Sequence, residues 1–166
     1  MESIRSLLFV IIISIILSPQ FSLLAQVEKV ELAVSGMTCN LCAYGVEKNL
    51  KRQKGVESLV SKLEEQLIIV TAKRGESLDI SKLVKAVRDS ELDVRELKVA
   101  VSGRLVDWEG NLALKEDVNE IFLLKGLKGL EEAKGKEVKL IGRVYALQGK
   151  APPRFVMESL EVISTK

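Results

Sequence analysis

The order of apolar periodicities between Val27 and Ala100 is the feature that most constrains the fold. From Val27 to Ser35 apolar and polar side chains alternate, which predicts a strand, and apolar residues then recur at three- and four-residue spacing to about Gln53, which predicts a helix. Residues 56–63 and 67–72 are predicted strands joined by a turn, and a second helical stripe to about residue 90 precedes a last strand. This order predicts a ferredoxin-like α+β sandwich, in which two helices cover one face of a four-stranded antiparallel sheet.

The rest of the chain has a different pattern. Strand-like segments cover residues 99–108, 111–116, 119–126, 137–147 and 154–163, with a short helical stretch at 127–134. Five strands with a helix between the third and fourth predict a small, mostly-β barrel of oligonucleotide/oligosaccharide-binding (OB-like) topology. The alternative is a short β-sandwich or an open sheet packed on the first domain. We predict that the aromatic side chains of this part belong to its core: Trp108, Phe122, Tyr145 and Phe155. The predicted domains are therefore residues 26–98 and 99–166.

The amino terminus has the composition of a targeting segment. Arg5 precedes the apolar run Leu7 to Leu17, whose eleven residues are fewer than the about 20 that a membrane-spanning helix needs. A positive start, a short apolar centre and a small residue near Ala25 are typical of a secretory signal peptide, with retention as a membrane anchor as the alternative. We therefore set residues 1–25 apart from the fold. We expect the protein to be exported, to the periplasm or another extracytoplasmic site.

The composition excludes enzyme mechanisms and metal sites that depend on histidine, and it argues against nucleic acid as a partner. The chain has no histidine, so it lacks the commonest general base and every metal site that needs imidazole. Lys and Arg number 25 against 23 Asp and Glu, a net charge of +2, which is far from the basic balance of a nucleic-acid binder. We expect a protein that is not an enzyme.

The chemistry is concentrated in Cys39 and Cys42, the only cysteines of the chain, which lie between the first strand and the first helix. Thiolates suit Cu(I) and other thiophilic ions, which two ligands can satisfy, whereas a structural zinc ion needs four. The positive end of the following helix lowers the pKa of thiols placed there. The spacing therefore predicts a soft-metal site. A thiol-disulfide redox couple and an inert disulfide in an interaction module are the alternatives.

The segment around these cysteines resembles a known motif. Gly36-Met37-Thr38-Cys39-Asn40-Leu41-Cys42 is similar to the GMTCxxC motif of heavy-metal-associated domains, the metallochaperone-like modules of copper chaperones, metal-pumping ATPases and periplasmic mercuric-ion scavengers. The resemblance covers about residues 27–100. It implies that Cys39 and Cys42 are the metal ligands, Met37 a buried support of the loop and Thr38 a hydrogen-bonding neighbour.

The same resemblance implies a cargo and a partner. Cu(I) is the ion most expected, with Hg(II), Zn(II) or another thiophilic ion as alternatives. The implied partner is a metal-transporting membrane protein or another thiol-bearing acceptor, which would bring the chain near a membrane. The chain departs from the family in one place: where members often carry a Gly-aromatic pair after the second helix, it has Glu91-Leu92. The part after residue 100 is not in the usual family pattern.

Overall fold

The computed structural model describes residues 26–115, 120–125, 130–147 and 154–165. Within these ranges the strands are β1 (Gln26–Ser35), β2 (Val56–Lys62), β3 (Leu67–Ala72), β4 (Asp93–Trp108), β5 (Asn111–Lys115), β6 (Ile121–Lys125), β7 (Glu137–Leu147) and β8 (Arg154–Thr165). The α-helices are α1 (Asn40–Lys51) and α2 (Ile80–Arg88), and a short 3-10 helix covers Leu130–Ala133. The helical stretch predicted at 127–134 is thus a single 3-10 turn over the residues that are described.

The first part of the chain is the ferredoxin-like sandwich that the pattern predicts. Its antiparallel strands lie in the order β2-β3-β1-β4. On β1 the side chains at 30, 32 and 34 are buried, because this face packs against the helices. Each helix contributes one apolar stripe to the same core, as amphipathic spacing requires: Ala43, Val46 and Leu50 from α1, and Ile80, Leu83, Ala86 and Val87 from α2.

The strands of the second part pair in a closed circuit. β4 pairs with β5, β5 with β6, β6 in parallel with β8, β8 with β7, and β7 with β4 again. Inside the circuit the buried rings of Phe122 and Phe155 stack with their centroids 5.5 Å apart. Tyr145 is 49% exposed, so the prediction of an aromatic core is wrong for this residue. It lies next to the buried Val144 on β7, and neighbouring side chains of a strand point to opposite faces.

Strand β4 belongs to both parts of the molecule. Its residues 93–102 pair with β1 and its residues 98–104 pair with β7, so these two strands lie on opposite edges of β4. The predicted domain boundary at residue 98 falls inside this unbroken strand. One cluster of buried apolar side chains runs from Leu32 of the sandwich to Phe122 and Met157 of the strand circuit. The division into two domains stays a prediction, but the two parts share a strand and a core.

The residues proposed as a targeting segment, 1–25, lie outside the described residues. In the described part of the chain, neither helix has the length and apolar character needed to cross a membrane.

Candidate metal centre

The loop that carries the cysteines connects the end of β1 to the start of α1. Gly36 takes φ of +90°, a conformation that L side chains rarely adopt, and the Thr38 N–H donates to the Gly36 carbonyl at 2.9 Å. A Cβ at Gly36 would also lie 3.1 Å from Cδ2 of Leu92, which is 6% exposed. Leu92 therefore supplies apolar cover for the loop, at the position where heavy-metal-associated domains often have an aromatic residue.

Cys39 is the N-cap of α1. Its backbone is extended (φ −141°, ψ 155°), and its Sγ accepts the N–H of Cys42 at 3.1 Å. The first turn of α1 contains no acidic residue that would oppose a negative charge at this end. An N–H donor and the positive end of the helix dipole both favour the thiolate over the thiol. The local fold thus prepares Cys39 to carry negative sulfur.

Cys39 and Cys42 are brought together as predicted, and they are joined in a disulfide with their Cα atoms 5.2 Å apart. Reduction would release two thiols on the same helix turn. Two metal–sulfur bonds of about 2.3 Å place the sulfurs of a linear site about 4.6 Å apart, a spread that side chains at this Cα separation can reach. The Cys39 side of the pair faces solvent, whereas Cys42 is half-buried.

Met37 and Thr38 lie on opposite sides of the loop. Met37 is fully buried and belongs to the core cluster, the position expected of a side chain that supports the loop from below. Thr38 is exposed, and its backbone N–H closes the turn onto Gly36.

The donor set in the described residues is limited to the two sulfurs. No group of three or more Cys, Asp or Glu side chains in the described ranges is arranged to hold a metal ion. A site of two sulfurs fits an ion that is satisfied at low coordination number, which Cu(I) and Hg(II) are and a structural zinc ion is not.

Two residues beside the sulfurs were missed by sequence reasoning. Leu41 is 78% exposed and Tyr44 is 63% exposed, and both lie on the first turns of α1. Large apolar side chains are unusual on the solvent side of an amphipathic helix. Their three-residue spacing outside the Ala43–Val46–Leu50 stripe was the available signal.

The cysteine loop follows the end of β1 that pairs with the first residues of β4. Ser35 at the end of β1 pairs with Asp93 at the start of β4, whereas the pairing of β4 with β7 begins at Lys98.

Known proteins are similar to part of this chain. Residues 31–105 match the family of heavy-metal-associated domains. The CopZ metallochaperone, whose structure is solved, is 30% identical in sequence, and the TM-score is 0.37. The match covers 40% of this chain and 97% of CopZ. Oxidized MerP from Ralstonia metallidurans CH34 is also 30% identical, with a TM-score of 0.36. That match covers 43% of this chain and 97% of MerP. The yeast copper transporter domain Ccc2a is 25% identical, with a TM-score of 0.37, and the match covers 43% of this chain and 93% of that domain.

No protein of curated function is significantly similar to the chain. The family match over residues 31–105 agrees with the loop geometry and with 30% identity to two proteins that are covered almost end to end. On this evidence the chain belongs to the family of heavy-metal-associated domains.

Proposed function

We propose that this protein is a non-catalytic carrier that captures a soft metal ion, Cu(I) above all, through Cys39 and Cys42 and passes it to a thiol-bearing acceptor. The observation that carries the proposal is the pair of sulfurs at the exposed start of α1, one of which already accepts a helix N–H. Membership of the heavy-metal-associated family supports metal binding and transfer in general. Of the other ions, Hg(II) also fits two thiolates, whereas Zn(II) would need ligands from elsewhere.

Transfer would proceed by ligand exchange. Cys39 is the exposed member of the pair, so an incoming thiolate of the acceptor would add to the ion from that side. The ion would be coordinated by three sulfurs, two from this chain and one from the acceptor, before one of its bonds to this chain breaks. The oxidation state of the ion does not change. Leu41 and Tyr44 would contact the acceptor, because both are exposed apolar side chains on the first turns of α1, close in sequence to Cys39 and Cys42. We propose a metal-transporting membrane protein as the acceptor.

The disulfide adds a requirement and a second candidate function. Two electrons and two protons from a thiol donor must reduce the pair before it can hold an ion. The bonded state of Cys39 and Cys42 also favours thiol-disulfide exchange as an alternative function. In that case the pair would oxidise a substrate dithiol and carry no metal. An idle disulfide in an interaction module is the remaining alternative.

We further propose that residues 1–25 direct export or hold the chain at a membrane, and that the strand circuit is an OB-like barrel. The composition of residues 1–25 supports the first proposal. The parallel pairing of β6 with β8 and the closing pair of β4 with β7 support the second.

An anaerobic Cu(I) titration of the reduced protein against a competing chelator tests the carrier. We expect one ion per chain in the wild type, and none held against the chelator by Cys39→Ser or Cys42→Ser. A serine at position 39 can still cap α1, so loss of binding in that variant would reflect loss of the sulfur. Asn40→Ser, which keeps both sulfurs, is the matched control and should bind as the wild type does.

Failure of the reduced protein to bind Cu(I) would change the conclusion in one of two ways. If the reduced wild type binds no Cu(I), the carrier is wrong. If the disulfide form instead oxidises a substrate dithiol, with turnover when a small-molecule disulfide is supplied as the terminal oxidant, the redox function replaces it. If neither activity is found, the idle disulfide is the answer.

A further inference from the structure

A cleft of about 560 Å³ opens on the face of the sheet opposite α1 and α2, where the sandwich meets β7 and β8. Its floor follows one row of paired residues across four strands: Thr71 pairs with Lys29, Lys29 with Ala100, and Ala100 with Ile141. Ile163 of β8 forms a wall and is 46% exposed. The cleft therefore has a floor of mixed polarity and an apolar wall, and nothing in the described chain covers it.

The rim of this cleft is basic. Lys139 is paired with Glu28, and Lys29 is paired with Glu31 at 2.7 Å. The exposed Lys73 and Arg74, by contrast, form no salt bridge with any residue that the structure describes. The charged lining residues are four cations and two carboxylates: Lys29, Lys73, Arg74, Lys139, Glu28 and Glu76. The lining thus has a net charge of +2, and two of its cations are uncommitted.

The chain enters the described fold at this cleft. Gln26, the first residue of β1, is part of the lining, and the apolar run Leu7 to Leu17 ends nine residues before it. Nine residues span at most about 30 Å when fully extended, so a membrane that holds the run lies within that distance of the cleft. The cysteine loop is at the other end of β1, a strand of ten residues that is about 30 Å long.

We propose that this cleft docks the chain on an anionic phospholipid surface, with Lys73 and Arg74 contacting headgroup phosphates and the Cys39–Cys42 loop directed away from the membrane. The inference rests on the membrane-anchored form of the proposed function and gives it an orientation. A short apolar anchor alone binds a membrane weakly, and a basic patch next to it supplies the second signal that stable attachment requires. The orientation leaves both sulfurs accessible to an acceptor.

Partition of the full-length protein onto two kinds of vesicle tests the proposal. One kind is pure phosphatidylcholine and the other contains phosphatidylglycerol as well, at low salt. The apolar run inserts into both, so the readout is the ratio of the two partition coefficients. Neutralising one cation near an anionic surface lowers the partition coefficient onto that surface about fivefold. The double variant Lys73→Gln with Arg74→Gln should therefore lower the ratio of the two partition coefficients about 25-fold.

Lys48→Gln with Arg88→Gln is the matched control. It removes the same charge from exposed positions on α1 and α2, which cover the opposite face of the sheet, and it should leave the ratio close to that of the wild type. The proposal is overturned if the wild type does not prefer anionic vesicles. It is also overturned if the control double variant lowers the ratio of partition coefficients as much as the Lys73 and Arg74 double variant does. It is also overturned if inorganic phosphate at millimolar concentration abolishes the preference while the same increment of ionic strength as chloride does not, because the cleft would then be a site for soluble anions.

The Cu(I) stoichiometry of the same preparations separates this proposal from the metal function. Loss of vesicle preference with one Cu(I) still bound would overturn the docking alone. Retained preference with no Cu(I) bound would overturn the carrier alone.

Discussion

Gly142→Ala should destabilise the whole molecule. Gly142 lies on β7, where it pairs with Ser159 of β8 on one side and Val99 of β4 on the other. A Cβ built there would lie 2.6 Å from the carbonyl oxygen of Glu158 and 3.0 Å from two carbons of Met157. Ordinary contact begins at 3.4 Å, so β7 and β8 must separate by about 0.8 Å at a point where the obstacle is backbone. Overpacking of this kind costs about 1–3 kcal/mol, and we expect about 2–3 kcal/mol because the carbonyl cannot rotate away.

Denaturant unfolding followed by the fluorescence of Trp108 measures this loss, because Trp108 is the only tryptophan of the chain and lies at the end of the shared strand β4. Gly45→Ala is the control, since its Cβ would have no atom within 4 Å and it lies inside α1. We expect this control to gain about 0.5–1 kcal/mol from helix propensity. The shared core also predicts that fluorescence and far-UV circular dichroism report one transition. An unchanged midpoint for Gly142→Ala would refute the packing of β7 against β8 described above.

Substitutions at three further positions test single features of the fold. Glu91 adopts φ of +62° where related domains often have glycine, so Glu91→Gly should stabilise the protein by about 0.5–1 kcal/mol after the entropy of glycine is subtracted, whereas Glu91→Ala should gain nothing in the same denaturation assay. Burial raises the pKa of Glu28, but hydrogen bonds from Lys139 and Ser102 outweigh it and hold that pKa below its ordinary value. The stability from Glu28 is therefore present above the unfolded-state pKa and lost as the pH falls through the folded-state pKa. Since the side chain is partly exposed, Glu28→Gln should flatten the acid loss of stability by less than about 1 kcal/mol, and an acid profile identical to that of the wild type would contradict this. In the reduced protein, Cys39→Ala should unfold about 0.5–1 kcal/mol more easily than Cys39→Ser, because only serine replaces the N-cap; equal midpoints would argue against the cap.

Local pattern determined the ferredoxin-like part. The alternation of β1, the stripes of α1 and α2, and the turn between β2 and β3 were all predicted from the sequence to within a few residues, because each depends on side chains that are neighbours along the chain. The candidate site was predictable for the same reason. Cys39 and Cys42 are one helix turn apart, so their proximity needs no long-range contact.

The tertiary structure alone decided how the two parts of the molecule join. The pattern placed a boundary at residue 98, but β4 runs through it because its free edge pairs with β7, some forty residues later. The cleft lined by Lys73 and Ile163 and the approach of Leu92 to Gly36 also arise from segments far apart in sequence. Periodicity records which face of an element is apolar, but not which other element will cover that face or pair with its edge. That choice depends on packing and hydrogen bonding between distant segments, and only the folded chain settles it.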